Sequence, residues 1–183
     1  MLESVIESLR NYDPPQEDQK TAKASYLERV EDLGEKMLWK PLDSQHITAS
    51  CFVFSTDLTK VLLTFHKKGQ FWVQFGGHLE EEDRDLPSAA LREATEESGI
   101  DGLSLTGSIV DLNMHELHGG FSCAAHWDVG YVALVDGDTD YVVSDESENV
   151  AWWPIDDLPA GITRDLPKRI EHALSALKLQ QSR

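Results

Sequence analysis

Three glutamates stand closest to chemistry in this chain. They lie in the stretch Arg92-Glu93-Ala94-Thr95-Glu96-Glu97-Ser98-Gly99-Ile100. On a helix, at about 100° per residue, Glu97 falls about 40° to one side of Glu93 and Glu96 about 60° to the other. The three carboxylates therefore share one arc, while Leu91, Ala94 and Ser98 are left to pack. Glu93 and Glu97 repel as i,i+4 neighbours, at a cost of a few tenths of a kcal/mol. Glu96 and Glu97 also sit near the helix C-terminus, where the dipole disfavours anions. An acidic run is usually a solvated face, but such a face has no reason to accept both penalties. A hard divalent cation, Mg2+ or Mn2+, reverses the sign of both. Arg92 can pair with a carboxylate of the preceding loop and hold that loop against the helix.

That loop is itself acidic. Phe75 to Ile100 carries eight carboxylates, five of them in the loop as Glu80, Glu81, Glu82, Asp83 and Asp85. Farther along, His115, His118, Cys123, His126 and Asp128 form a second group of metal-capable side chains. Their spacing spans a predicted strand, loop and strand without a CxxC pair, so they do not read as a zinc knuckle.

Gly77 together with Arg92–Ile100 resembles the Nudix box, G-x5-E-x7-R-E-U-x-E-E-x-G-U, where U is a bulky aliphatic. The second half matches at every fixed position, with Ala94 smaller than the usual U residue. The first half departs. Five residues after Gly77 comes Asp83 rather than Glu, and eight residues rather than seven separate it from Arg92. The loop is one residue longer than the pattern, and Glu80, Glu81, Glu82 and Asp83 compete for the first acidic position. Flanking segments TASCFVFS, KVLLTFHKK and SDESENVAWWPIDDLP also look like the Nudix core, over roughly residues 45–160.

The resemblance implies an α/β/α sandwich with a mixed sheet and Mg2+-dependent hydrolysis of a small nucleoside-diphosphate-linked compound. Carried over, it makes Glu93, Glu96, Glu97 and the Gly77 carbonyl the metal ligands, with Arg92 part of the catalytic set. Glu146 and Glu148 are candidates for the general base. Lys67 and Lys68 are candidates for substrate phosphates, and His115 and His126 for the pocket lining. Two alternatives share the fold: a nucleotide-binding or sensor module without turnover, and an isoprenoid-diphosphate isomerase. Neither Cys51 nor Cys123 sits in an isomerase motif, and binding modules often lose box glutamates that are all present here.

Ordinary elements must position these groups. Helices are expected over Leu2–Asn11 and about Gln16–Leu38, interrupted by Pro14-Pro15, with Tyr26, Val30, Leu33 and Met37 as one apolar stripe. Residues 1–40 form a helical extension that could pack on the main domain, residues 41–183, or on a second copy as a homodimer. Strands are expected at ITASCFVFS, VLLTFH and FWVQF, the last stopped by Gly76-Gly77. The glutamate helix ends at Gly99. Further strands are read within Leu103–Leu117, His126–Val135 and Asn149–Ile155, and a last helix at about 164–179. Strands on both sides of a central helix point to an α/β domain.

Composition excludes several classes. With 183 residues, 40% hydrophobic and 27% charged, the chain has the means for a packed core. A net charge of −17 repels polyanions, which argues against a nucleic-acid polymer as partner. A small phosphorylated substrate would need a bound cation to supply positive charge. The start lacks a signal-like basic and apolar pair of regions, no apolar run approaches a membrane span, and the two cysteines form no framework. A cytoplasmic protein is the expectation.

Overall fold

The computed structural model describes residues 1–40, 42–117, 122–137, 139–143 and 147–181. The N-terminal extension forms α1 (Leu2–Asn11) and α2 (Glu17–Leu33), parted by the proline pair that cannot sustain helical hydrogen bonding. The second helix is shorter than expected, because Gly34 turns to φ +57° and a 3₁₀ turn, Gly34–Met37, follows. The extension packs on its own chain. Val5, Leu9, Tyr26 and Val30 share one buried cluster with Ile47, Ala49, Leu86 and Val129. Each such aliphatic side chain contributes about 1.5–3 kcal/mol by leaving water.

Seven strands make one mixed sheet: β1 (Gln45–Ser55), β2 (Lys60–His66), β3 (Phe71–Val73), β4 (Phe75–His78), β5 (Asp111–Glu116), β6 (Ala125–Val135) and β7 (Ser147–Pro154). The order is β3-β2-β1-β6-β5, with β4 beside β1 and β7 beside β2. Among the described strands, only β1 and β6 pair in parallel, in register from Gln45↔Ala125 to Ser55↔Val135. Two helices complete the fold, α3 (Leu86–Ser98) and α4 (Leu166–Gln181). No described helix is long and apolar enough to cross a membrane.

The pleat sorts the layers. Odd positions of β1, Ile47, Ala49, Cys51 and Val53, are buried with side chains of α1, α2 and α3. Even positions Phe52 and Phe54 are buried with Leu166, Ile170, Ala173 and Leu177 of α4. This alternation yields a helix–sheet–helix sandwich, as expected.

One strand reading needs correction. FWVQF is not a single strand: β3 stays with β2, while β4 crosses to β1, pairing Cys51↔Phe75 through Thr48↔His78. The expected stop at Gly76-Gly77 is instead the middle of β4. Gly76 has φ +156°, and a Cβ there would lie 2.6 Å from Ser50 Cβ and 2.8 Å from the Ala49 carbonyl. Glycine lets β4 crowd onto β1, and so carries the start of the acidic loop over the sheet.

Candidate active site

The glutamate helix is capped at both ends. Asp85 accepts from the Ser88 N–H at 2.8 Å, and the Ser88 hydroxyl accepts from the Asp85 N–H at 3.0 Å, a reciprocal capping box. At the other end Gly99 adopts φ +65° and donates to the Thr95 carbonyl at 2.9 Å. These caps fix where the three glutamates begin and end.

The loop question resolves on Asp83. Arg92 grips it with a two-pronged fork, Nε to Oδ1 at 3.1 Å and Nη2 to Oδ2 at 3.0 Å, a geometry only a guanidinium supplies. A tight turn presents this carboxylate: the Asp83 N–H donates to the Glu80 carbonyl at 3.0 Å, and Oδ2 accepts from the Glu80 N–H at 2.8 Å. Arg92 Nη2 also donates to the His78 carbonyl at 3.0 Å, and Nη1 reaches Glu93 at 2.9 Å and Glu96 at 3.2 Å. Burial pulls the Arg92 pKa down, but the Asp83 hydrogen bond and the Glu93 charge outweigh it and hold it above the usual value.

The three glutamates divide by depth. Glu97 is buried and accepts from the Gly76 N–H at 3.0 Å. The Glu93 side chain is 13% exposed and that of Glu96 61%. Glu93 abuts β4 so closely that a Cβ at Gly77 would sit 2.4 Å from its Oε1; a side chain there would fill the space beside the carboxylate. One guanidinium thus meets Asp83, Glu93 and Glu96, with Glu80 3.8 Å away. Its fork is spent on Asp83, and negative charge is left in excess on the helix. That surplus of hard oxygen donors fits a divalent cation.

Other sequence candidates are spread around the sheet. Lys67 and Lys68 stand exposed on the turn between β2 and β3. Glu148 is exposed and accepts from Gln70 Nε2 at 2.9 Å. Glu146 and His118 lie outside the described residues. His115 and His126 face each other across β5 and β6, with ring centroids 5.5 Å apart. Asp128, grouped by sequence with those histidines, belongs elsewhere. It is buried beneath α4, where Arg169 Nη2 donates to it at 2.5 Å and Thr48 at 2.7 Å.

That α4 contact is part of a second network the sequence reading missed. Arg169 Nε donates to Asp111 at 2.7 Å, and His172 Nδ1 lies 2.8 Å from the same carboxylate. Burial by itself raises the Asp128 pKa, but the charge of Arg169 and the Ser50 hydroxyl bring it below the usual range. Two further omissions are His46 and His78, which join Cys123 and His126 in one cluster. The signal available was the alternation His46-x-Thr48-x-Ser50, a polar face on an otherwise apolar strand.

Comparison with known proteins places this geometry. The family model for the NUDIX domain matches residues 44–174. The chain belongs to the NUDIX family. A NUDIX-family hydrolase of Clostridium perfringens matches with TM-score 0.60 and 24% identity, over 72% of this chain and 97% of that one. An Ap4A hydrolase of C. elegans, in a binary complex, gives TM-score 0.60 and 19% identity, over 73% and 97%. The NUDIX domain of Shewanella oneidensis NrtR, complexed with ADP ribose, gives TM-score 0.58 and 21% identity, over 93% and 97%. At these identities the structures share the fold. A search of curated proteins finds no match.

Proposed function

We propose that this chain hydrolyses the diphosphate bond of a small nucleoside-diphosphate-linked compound, with Mg2+ as cofactor and Mn2+ as a substitute. The observation that carries the reading is the surplus of carboxylate on α3 facing a glycine-only stretch of β4. Glu93 and Glu97, with Glu96 and the Gly77 carbonyl, would hold the cation. Bound there, Mg2+ supplies positive charge for phosphate oxygens and lowers the pKa of water.

The chain's own residues do the remaining work. Arg92 ties Asp83 and the His78 carbonyl to the helix, so the loop from Gly77 onward is fixed relative to the carboxylates. Fixing both sides of a site before the substrate arrives removes orientational cost from the reaction. Hydrolysis adds water to phosphorus and breaks a P–O bond of the anhydride, and the water's proton must pass to a base. A carboxylate would take it, and Glu146 and Glu148 are the candidates outside the box.

The names of matched structures support a substrate with linked phosphates. Matched structures include an Ap4A hydrolase, a dihydroneopterin triphosphate pyrophosphohydrolase and a domain bound to ADP ribose. All three names carry linked phosphates. The test is a screen of nucleoside triphosphates, nucleotide sugars, ADP-ribose and dinucleoside polyphosphates with Mg2+, products identified by mass. The expected result is a product pair from cleavage between phosphates, absent when EDTA replaces Mg2+. Tight nucleotide binding with no cleavage of any compound would favour the binding-module alternative.

A further inference from the structure

We propose that His46, His78, Cys123 and His126 form a zinc site, separate from the acidic pocket. Their ligand atoms all lie within 4.8 Å of one another. Tetrahedral Zn2+, with bonds of about 2.0–2.3 Å to nitrogen and sulfur, spans edges of roughly 3.3–3.8 Å. A small inward movement of the side chains closes the set.

The positions come from strand pairing rather than from sequence proximity. His46 and His126 are register partners on the parallel strands β1 and β6. His78 ends β4, opposite Thr48 of β1, so it projects to the same sheet face. Cys123 lies just before β6, with Sγ 3.7 Å from His78 Nε2. Ring centroids are 4.8 Å apart for His46–His78, 5.3 Å for His46–His126 and 4.9 Å for His78–His126.

Hydrogen bonding orients the histidine lone pairs. His46 Nδ1 lies 3.2 Å from the Asp43 carbonyl. A carbonyl only accepts, so the proton sits on Nδ1 and Nε2 offers a lone pair, the arrangement that commonly orients a metal-binding histidine. His46 is 0% exposed, and among the described residues its Nε2 has no hydrogen-bond partner. The Nε2 of His126 is likewise buried and unpartnered. Buried polar atoms are normally satisfied, and two such nitrogens in one cluster with a cysteine are met together by one cation.

Donor chemistry selects the ion. Imidazole and thiolate suit zinc, whereas the carboxylates of α3 suit Mg2+. The two sites lie on opposite faces of the sheet: Gly77 faces Glu93, and the next residue, His78, points the other way. Four protein ligands leave no open position, so the zinc is structural. It ties together the ends of β1, β4 and β6. Because the His78 carbonyl accepts from Arg92, it also anchors the start of the acidic loop.

The test uses the full chain, purified without chelator. Metal analysis should find close to one zinc per chain. Replacement by Co2+ should give the visible bands of a tetrahedral site and a thiolate-to-cobalt charge-transfer band. Glu97→Gln should retain both features. Cys123→Ser should lose the charge-transfer band, and His126→Ala should weaken cobalt binding by more than about 100-fold. Should either variant fail to fold, stripping zinc from the unaltered chain with a chelator should lower its melting temperature, and added Zn2+ should restore it. The proposal is overturned if the unaltered chain gives no tetrahedral cobalt spectrum, if Cys123→Ser leaves the spectrum unchanged, if Glu97→Gln abolishes it, or if chelation leaves the melting temperature where it was.

Discussion

Two arginines organise opposite faces of one sheet, and they do so in opposite ways. Arg169, on α4, is 3% exposed and pairs with Asp111 and Asp128, which are 0% and 3% exposed. Thr48 and His172 meet the other oxygens of those carboxylates, and Ser50 shares the Asp128 oxygen that Arg169 holds. Arg92, on α3, is half-buried and meets Asp83, Glu93 and Glu96 while Glu97 lies one turn along. The first network is closed and buried, with a partner on each carboxylate oxygen. The second is open at Glu96 and carries more negative charge than its arginine can answer. Both are ion-pair clusters, and the difference separates a structural tie from a site. A buried cluster whose charges all have partners is costly to break, because removing one partner strands a charge away from water. Partial exposure with surplus charge calls for a ligand of the opposite sign.

The largest effect should come from the closed network. Arg169→Met leaves Asp111 and Asp128 buried without their cation, and should cost about 3–5 kcal/mol in urea unfolding. A loss under 1 kcal/mol would mean that the two networks are not different in kind. Asp83→Ala should cost less, about 1–2 kcal/mol, because half-buried Arg92 keeps water and its other partners. That variant should nevertheless slow hydrolysis by roughly 10- to 100-fold, because the loop loses its anchor to the helix. Unchanged turnover would show that the Asp83 fork does not position the site.

Sequence reading reached these two regions unequally. The Arg92 helix was legible because its information is local: the register of Glu93, Glu96 and Glu97, the cap at Gly99 and the match to a family pattern lie within one short segment. Which loop acid meets Arg92 was not legible. Spacing names four candidates, and only the turn from Glu80 to Asp83 decides among them. Residues whose meaning depends on strand pairing stayed hidden. Arg169 and Asp111 are 58 positions apart, and His46 joins His126 only through the parallel register of β1 and β6. Grouping histidines by nearness in sequence put Asp128 with them and left out His46 and His78. The division of FWVQF was invisible for the same reason, since β3 and β4 are told apart by the strand each pairs with.

The direct test of the surplus-charge account is Glu97→Gln, assayed for Mg2+-dependent cleavage alongside urea unfolding. Glutamine can still accept from the Gly76 N–H, so unfolding should change by no more than about 1.5 kcal/mol. Cleavage should fall by roughly 100- to 1,000-fold, as expected when one element of a preorganised charge site is removed. Full Mg2+-dependent turnover in that variant would contradict the account.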